Sequence, residues 1–225
     1  MLKNINKSTL LVASNCRDDE KLFTKVNDLI SNKFDDEKKR RISILYTPRM
    51  GFRNKTRSEL FIDTKDMIKK WKYKEKLLCD FDLIDCSKSV NIERCKNKIK
   101  KNSILWIMGG DTLYLMYHLK KSGVGDLIKK RVYKDNFLLI GCCAGAIIAG
   151  NSINPTFIDR ANKRRHKYYI KHTYKKKYWE KPKNCKGLNL IKNIDIVPHC
   201  STKKKNRYFT LRNKKQYCLP EKLLK

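Results

Sequence analysis

The ten residues Gly141 to Gly150, GCCAGAIIAG, directly follow the apolar run Phe137-Leu138-Leu139-Ile140. They constrain the fold more than any other part of the chain. A short buried strand runs into a glycine, a reactive residue flanked by small ones, a second glycine and an Ala/Ile helix. This is the G-x-C-x-G form of a nucleophile elbow, a strand-to-helix turn so tight that only glycine and alanine fit around its apex. Cys143 holds the central position, and its sulfur would sit at a helix N-terminus, where unpaired N–H groups favour thiolate over thiol. The plainer alternative is that Cys142 and Cys143 are small buried residues packing a strand–helix junction.

The rest of the chain reads as strands alternating with helices. Apolar runs predict strands at 9–13, 41–46, 81–85 and 103–108, then the elbow strand, then one over 194–197. Thr47-Pro48 halts the second of these. Helical spacing predicts helices over about 18–34, 57–70, 91–101, 113–120 and 124–133. In the second of these, Leu60, Phe61, Thr64, Met67 and Ile68 fall on one face. Such alternation implies an α/β fold with a parallel sheet covered on both faces. Ligands in such sheets bind beyond the carboxyl ends of the strands, where both Gly109-Gly110 and Cys143 fall.

Gly109-Gly110-Asp111-Thr112 is the second informative spot. Two glycines after a strand let backbone N–H groups approach a substrate, and Asp111 or Thr112 can cap the next helix. Beside an elbow strand it is a candidate oxyanion hole, formed by the N–H groups of Gly110 and Ala144. A nucleophile also needs a base. Of four histidines, His118 lies in a predicted helix, and His166 and His172 lie in a basic stretch. His199 follows Ile194-Asp195-Ile196-Val197-Pro198 at a strand end, so it is the candidate base. For the orienting acid two residues stay open: Asp159, beyond the elbow helix and after Pro155, and Glu221, in a late turn Leu219-Pro220-Glu221.

Composition narrows the setting. A chain of 225 residues suits one α/β domain, 1–225, with a Lys/Arg/Tyr-rich insertion at about 160–183. No apolar stretch approaches the roughly 18–20 residues of a membrane span, and the first eleven residues lack the core of a secretory signal. Nine cysteines without paired spacing suit a reducing compartment better than a disulfide framework. No Cys/His cluster has zinc spacing. The expectation is a cytoplasmic protein, not bound to membrane and without a structural metal; its oligomeric state is open. The net charge of +32 is concentrated late, with 22 Lys/Arg against 3 Asp/Glu from residue 160 onward. There, tyrosines and Trp179 interleave with basic residues. Such a stretch can grip phosphates and stack on bases. Lysine bias pervades the whole chain, however, so nucleic acid is not the favoured partner.

Taken in order, these pieces resemble the peptidase E / cyanophycinase family of serine peptidases, within the class I glutamine amidotransferase-like fold. The matching residues are Ser14-Asn15, Thr47-Pro48 with Met50-Gly51-Phe52, and Met108-Gly109-Gly110-Asp111-Thr112. Further on come Gly141-Cys142-Cys143-Ala144-Gly145-Ala146, Val197-Pro198-His199 and Leu219-Pro220-Glu221. The resemblance implies a three-layer α/β/α sandwich whose members need no metal or organic cofactor. By position, Cys143 replaces the family's catalytic serine, His199 matches its histidine, and Asp159 falls near its acid. Gly109 and Gly110 match its glycine turn. The implied activity is cleavage of small peptide or amide bonds through a Cys143–His199–Asp159 triad and a thioester, with acidic substrates suggested. The same fold also admits a thiol amidotransferase or deglycase-like enzyme, or an inactive member binding polyanions through the basic insertion.

Overall fold

The structure is a computed structural model that describes residues 2–5, 7–14, 20–34, 41–51, 56–73, 80–158, 185–200, 208–211 and 214–220. Six strands form the main sheet: β1 (Leu2–Ile5), β2 (Ser8–Ala13), β3 (Ile42–Leu45), β4 (Phe81–Ile84), β5 (Ile104–Ile107) and β6 (Leu138–Cys142). Their spatial order is β1-β2-β6-β5-β3-β4. All neighbours are parallel except β1, which pairs antiparallel with β2 at one edge. The strands predicted for this sheet are therefore present to within one or two residues at their ends. Edge strand β1, LKNI, was not expected; its lysine and asparagine break the apolar pattern.

Strands β2, β3, β5 and β6 are buried along their whole length, as parallel strands covered on both faces must be. One face carries α1 (Glu20–Lys33) and α2 (Arg57–Tyr73), whose Phe23, Val26, Ile30 and Ile68 pack with Trp106, Ile140 and Leu11. Trp106 is fully buried, with its ring 5.7 Å from that of Phe23. The other face carries α3 (Ser89–Lys101), α4 (Thr112–Ser122), α5 (Val124–Lys134) and α6 (Ala144–Ala149). Here Ile99, Leu115, Ile128 and Ile148 pack on Leu105, Ile107 and Leu139. Alternate strand residues thus feed two apolar cores, giving the three-layer α/β/α sandwich.

Caps fix where the helices begin and turn. Asp111 accepts the Tyr114 N–H at 2.9 Å and starts α4, while Gly123, at φ +72°, ends it and lets α5 follow at once. A short helix α7 (Pro155–Ile158) opens on proline, where the missing N–H costs nothing.

His199, expected at the end of a further strand, is the penultimate residue of β7 (Asp195–Cys200); that strand belongs not to the main sheet but to a second, three-stranded one with β8 (Tyr208–Leu211) and β9 (Lys214–Pro220), in the order β7-β9-β8. Leu219 and Pro220, expected in a turn, lie in β9. The loop after α6 anchors the start of β7. The buried Asp195 carboxylate accepts the Ser152 N–H at 2.8 Å and the Ser152 hydroxyl at 2.9 Å, and Asn151 N–H donates to the Ile194 carbonyl. Residues 18 and 19, Asn15, Phe52, Asp159, the segment 160–183 with His166 and His172, and Glu221 lie outside the described residues.

Candidate active site

Strands β2, β6 and β5 lie side by side, with Ala13 opposite Cys142 and Ile107 opposite Gly141. Their carboxyl ends therefore bring Ser14, Cys143 and Gly109-Gly110 to one edge of the sheet. The elbow is packed backbone against backbone. A Cβ on Gly145 would lie 2.5 Å from the Ile107 carbonyl oxygen, and one on Gly141 would lie 2.7 Å from the Gly145 carbonyl oxygen. No larger residue fits either place without moving α6 away from the sheet.

Cys143 sits at the apex with φ 47° and ψ −102°, a conformation that an L-residue rarely adopts. Its N–H donates to the Ala13 carbonyl at 3.0 Å, and its carbonyl accepts the Ile147 N–H at 2.9 Å. Strain of this kind concentrates at functional sites and is held by surrounding contacts. Cys143 is partly exposed and is not in a disulfide. Cys142, by contrast, is 1% exposed and disulfide-bonded. That departs from the expectation of unpaired cysteines, because spacing along a chain does not report pairing across a fold. The buried Cys86 thiol, pushed up to about 11 mainly by desolvation, stays protonated at neutral pH.

His199 comes to Cys143 from the second sheet. Its Nε2 is 3.2 Å from the Cys143 Sγ, so that either the thiol donates to a neutral ring or an imidazolium donates to a thiolate. His199 also has positive φ, 57°, and falls where the β7–β9 register shifts between Val197 and Cys200. The bulge turns its side chain toward the elbow. Its N–H donates to the Ser14 hydroxyl at 3.0 Å, a partner that no local sequence signal pointed to, although Ser14 follows the first strand in the family-like pattern.

The glycine turn lies against the nucleophile. A Cβ on Gly109 would lie 3.1 Å from the Cys143 Cβ, and Gly110, at φ +149°, leaves no room for one because the Pro48 carbonyl oxygen would be 2.4 Å away. Asp111 N–H donates to that same carbonyl at 2.8 Å. The 3₁₀ turn bearing Pro48 (Thr47–Gly51) is fastened in turn by a buried carboxylate. Asp85 accepts the Thr47 hydroxyl at 2.7 Å, the Ser87 hydroxyl at 2.7 Å and the Ser87 N–H at 3.0 Å. Arg57 spans this carboxylate at 3.5 Å and the Tyr114 hydroxyl at 2.7 Å. Ala144 opens α6, so its N–H has no earlier carbonyl of the same helix to bond.

Of the residues singled out in the sequence, Cys143, His199, Gly109, Gly110 and Ala144 thus lie at one strand-end cluster, whereas Asp159 and Glu221 fall outside the described residues. Among the described residues no group of three His, Cys, Asp or Glu could hold a metal, and no helix is long and apolar enough to cross a membrane.

Comparison with known proteins accords with this geometry. The fold is similar to the crystal structure of a protein from Listeria monocytogenes EGD-e provisionally assigned as peptidase E. Identity is 20% and TM-score 0.57, over 89% of this chain and 80% of that one. It is also similar to a peptidase from an acI-B1 Actinobacterium, with 14% identity and TM-score 0.57 over 84% of this chain and 67% of that one. No curated protein matches the sequence. The model of peptidase family S51 matches residues 10–217. With that match spanning most of its length, the chain belongs to peptidase family S51 and is a hydrolase of the peptidase type.

Proposed function

We propose that this protein hydrolyses small peptide or amide bonds through Cys143 as nucleophile and His199 as general base. The observation that carries the proposal is the 3.2 Å approach of His199 Nε2 to the Cys143 thiol, outside any disulfide, on a strained elbow. His199 takes the thiol proton, and the thiolate attacks the scissile carbonyl carbon. Negative charge then builds on the carbonyl oxygen, where the N–H groups of Gly110 and Ala144, with Gly109 packed beneath, are assigned to receive it. The imidazolium returns its proton to the departing amine, leaving a thioester on Cys143. His199 next deprotonates a water, the hydroxide attacks the thioester, and the acid leaves as Sγ is released.

Asp159 is assigned the role of orienting the His199 ring, on the strength of its place in the family-like pattern. The assigned substrate is a small peptide, with acidic residues favoured by a chain whose net charge is +32. The chemistry asks for no metal or organic cofactor. The cytoplasm is assigned as the setting on the thiol nucleophile alone, and the disulfide at Cys142 counts against it.

A panel of dipeptides with acidic, neutral and basic first residues tests this directly. The wild-type protein is expected to cleave at least the acidic members, and Cys143→Ala to lose the activity by about 10³-fold or more while remaining folded. Equal turnover by Cys143→Ala would remove the nucleophile assignment.

A further inference from the structure

We infer that Ser14 is a positioning residue for the base: its hydroxyl holds the His199 main chain in the left-handed conformation that brings Nε2 to the nucleophile. The inference rests on the reading of Cys143 and His199 as the reacting pair. Cys143 and His199 come from different sheets, and both have positive φ, 47° and 57°. Neither conformation is favourable for a residue with a Cβ, so each persists only where neighbours fix it. The neighbours are consecutive residues at the end of β2. The Ala13 carbonyl accepts the Cys143 N–H, and the Ser14 hydroxyl accepts the His199 N–H, both at 3.0 Å. A single dipeptide therefore sets the main chains of nucleophile and base relative to each other.

The ladder of the second sheet does not take over this task. β7 pairs with β9 up to Val197↔Cys218 and resumes at Cys200↔Pro220, so His199 falls in the gap between them. Pro198 has no N–H to give. Ser14 is 3% exposed but His199 is exposed, so water can replace the lost oxygen only in part, and the expected effect is a graded loss. Loss of the hydroxyl should let the His199 main chain relax toward negative φ, swing the ring off Sγ and leave the thiol protonated to higher pH. Ala13 would still hold Cys143, so substrate binding at the elbow should change less than turnover.

The test compares full-length wild-type protein with Ser14→Ala, Ser14→Thr and His199→Ala. Iodoacetamide modification of Cys143 is followed by peptide mass spectrometry from pH 5 to 9, beside kcat and KM on a cleaved dipeptide. His199→Ala should move the pH midpoint of Cys143 modification upward. Ser14→Ala should move it the same way by a smaller amount and lower kcat roughly tenfold with KM within about twofold. Ser14→Thr keeps an acceptor oxygen and should retain the wild-type profile. A Ser14→Ala protein with wild-type modification and turnover, or a folded Ser14→Thr that behaves like Ser14→Ala, overturns the role of the hydroxyl while leaving the pair standing. An unchanged profile in His199→Ala overturns the pair itself. Should Ser14→Ala not be recovered folded, Ser14→Cys, of closely similar shape but a weak acceptor, carries the same comparison.

Discussion

Replacing Gly145 by alanine should damage activity far more than stability. A Cβ there would lie 2.5 Å from the Ile107 carbonyl oxygen and 3.0 Å from the Ile107 Cβ, whereas ordinary contact begins near 3.4 Å. The Ile107 carbonyl belongs to a central, fully buried strand, so the yielding partner is α6, which must retreat by about 0.9 Å to restore contact. Cys143 immediately precedes that helix and moves with it. If the whole shift falls along the line to His199, the 3.2 Å separation widens to about 4 Å, the limit of hydrogen-bond reach for sulfur. A misplacement near 1 Å can cost on the order of 100-fold in rate. Overpacking costs about 1–3 kcal/mol, but alanine recovers about 1 kcal/mol of helix propensity over glycine, leaving a net loss of about 0–2 kcal/mol. Gly123→Ala is the control. Nothing lies within 4 Å of its Cβ, yet φ is +72°, so it should lose about 1–2 kcal/mol with unchanged kcat. Urea unfolding and steady-state dipeptide hydrolysis measure both quantities on each variant. Wild-type kcat in Gly145→Ala would refute the argument that the elbow's backbone packing sets the pair distance.

The remaining predictions concern the third member of the site and the acid side of the stability curve. Asp159→Asn should lower kcat strongly with KM little changed, because an amide would favour the wrong ring tautomer; unchanged kcat there, with loss in Glu221→Gln, transfers the role to Glu221. Burial pushes His118 down to about 4, with Arg57 and Lys121 adding to the effect and Asp85 opposing it. A histidine depressed below its unfolded value of about 6.5 contributes stability that is complete above pH 6.5 and lost as pH falls toward 4, by at most about 3 kcal/mol. Unfolding free energy at pH 7 and pH 4.5 should therefore differ less in His118→Phe than in wild type, and an equal difference would contradict this.

Much of this architecture is legible in the sequence because it is local. Strands such as Ile104–Ile107 are unbroken apolar runs, and the elbow announces itself through glycines whose spacing the close approach of Gly141, Gly145 and Ile107 requires. His199 can be picked out because it follows an apolar strand. Its sheet cannot, since β9 opens on Lys214-Lys215 and its sequence KKQYCLP has no clean alternation to mark a buried face. Ser14 meets His199 across 185 residues, and Thr47 meets Asp85 across 38, so neither partnership leaves a periodic trace. Asp85 reads only as the polar end of a strand, yet its carboxylate holds the turn that carries Pro48 against Gly110.

The central claim is covalent catalysis by Cys143, and the most direct measurement is to trap the acyl-enzyme. Rapid acid quenching during hydrolysis of an activated aminoacyl ester, followed by peptide mapping, should find the acyl group as a thioester on the peptide containing Cys143. The adduct should be lost on treatment with hydroxylamine and absent from Cys143→Ala. Cys86 and Cys95 are buried and their thiols are pushed up by desolvation, so they should remain unmodified. An adduct on another residue, or undiminished ester turnover by Cys143→Ala, would contradict the account.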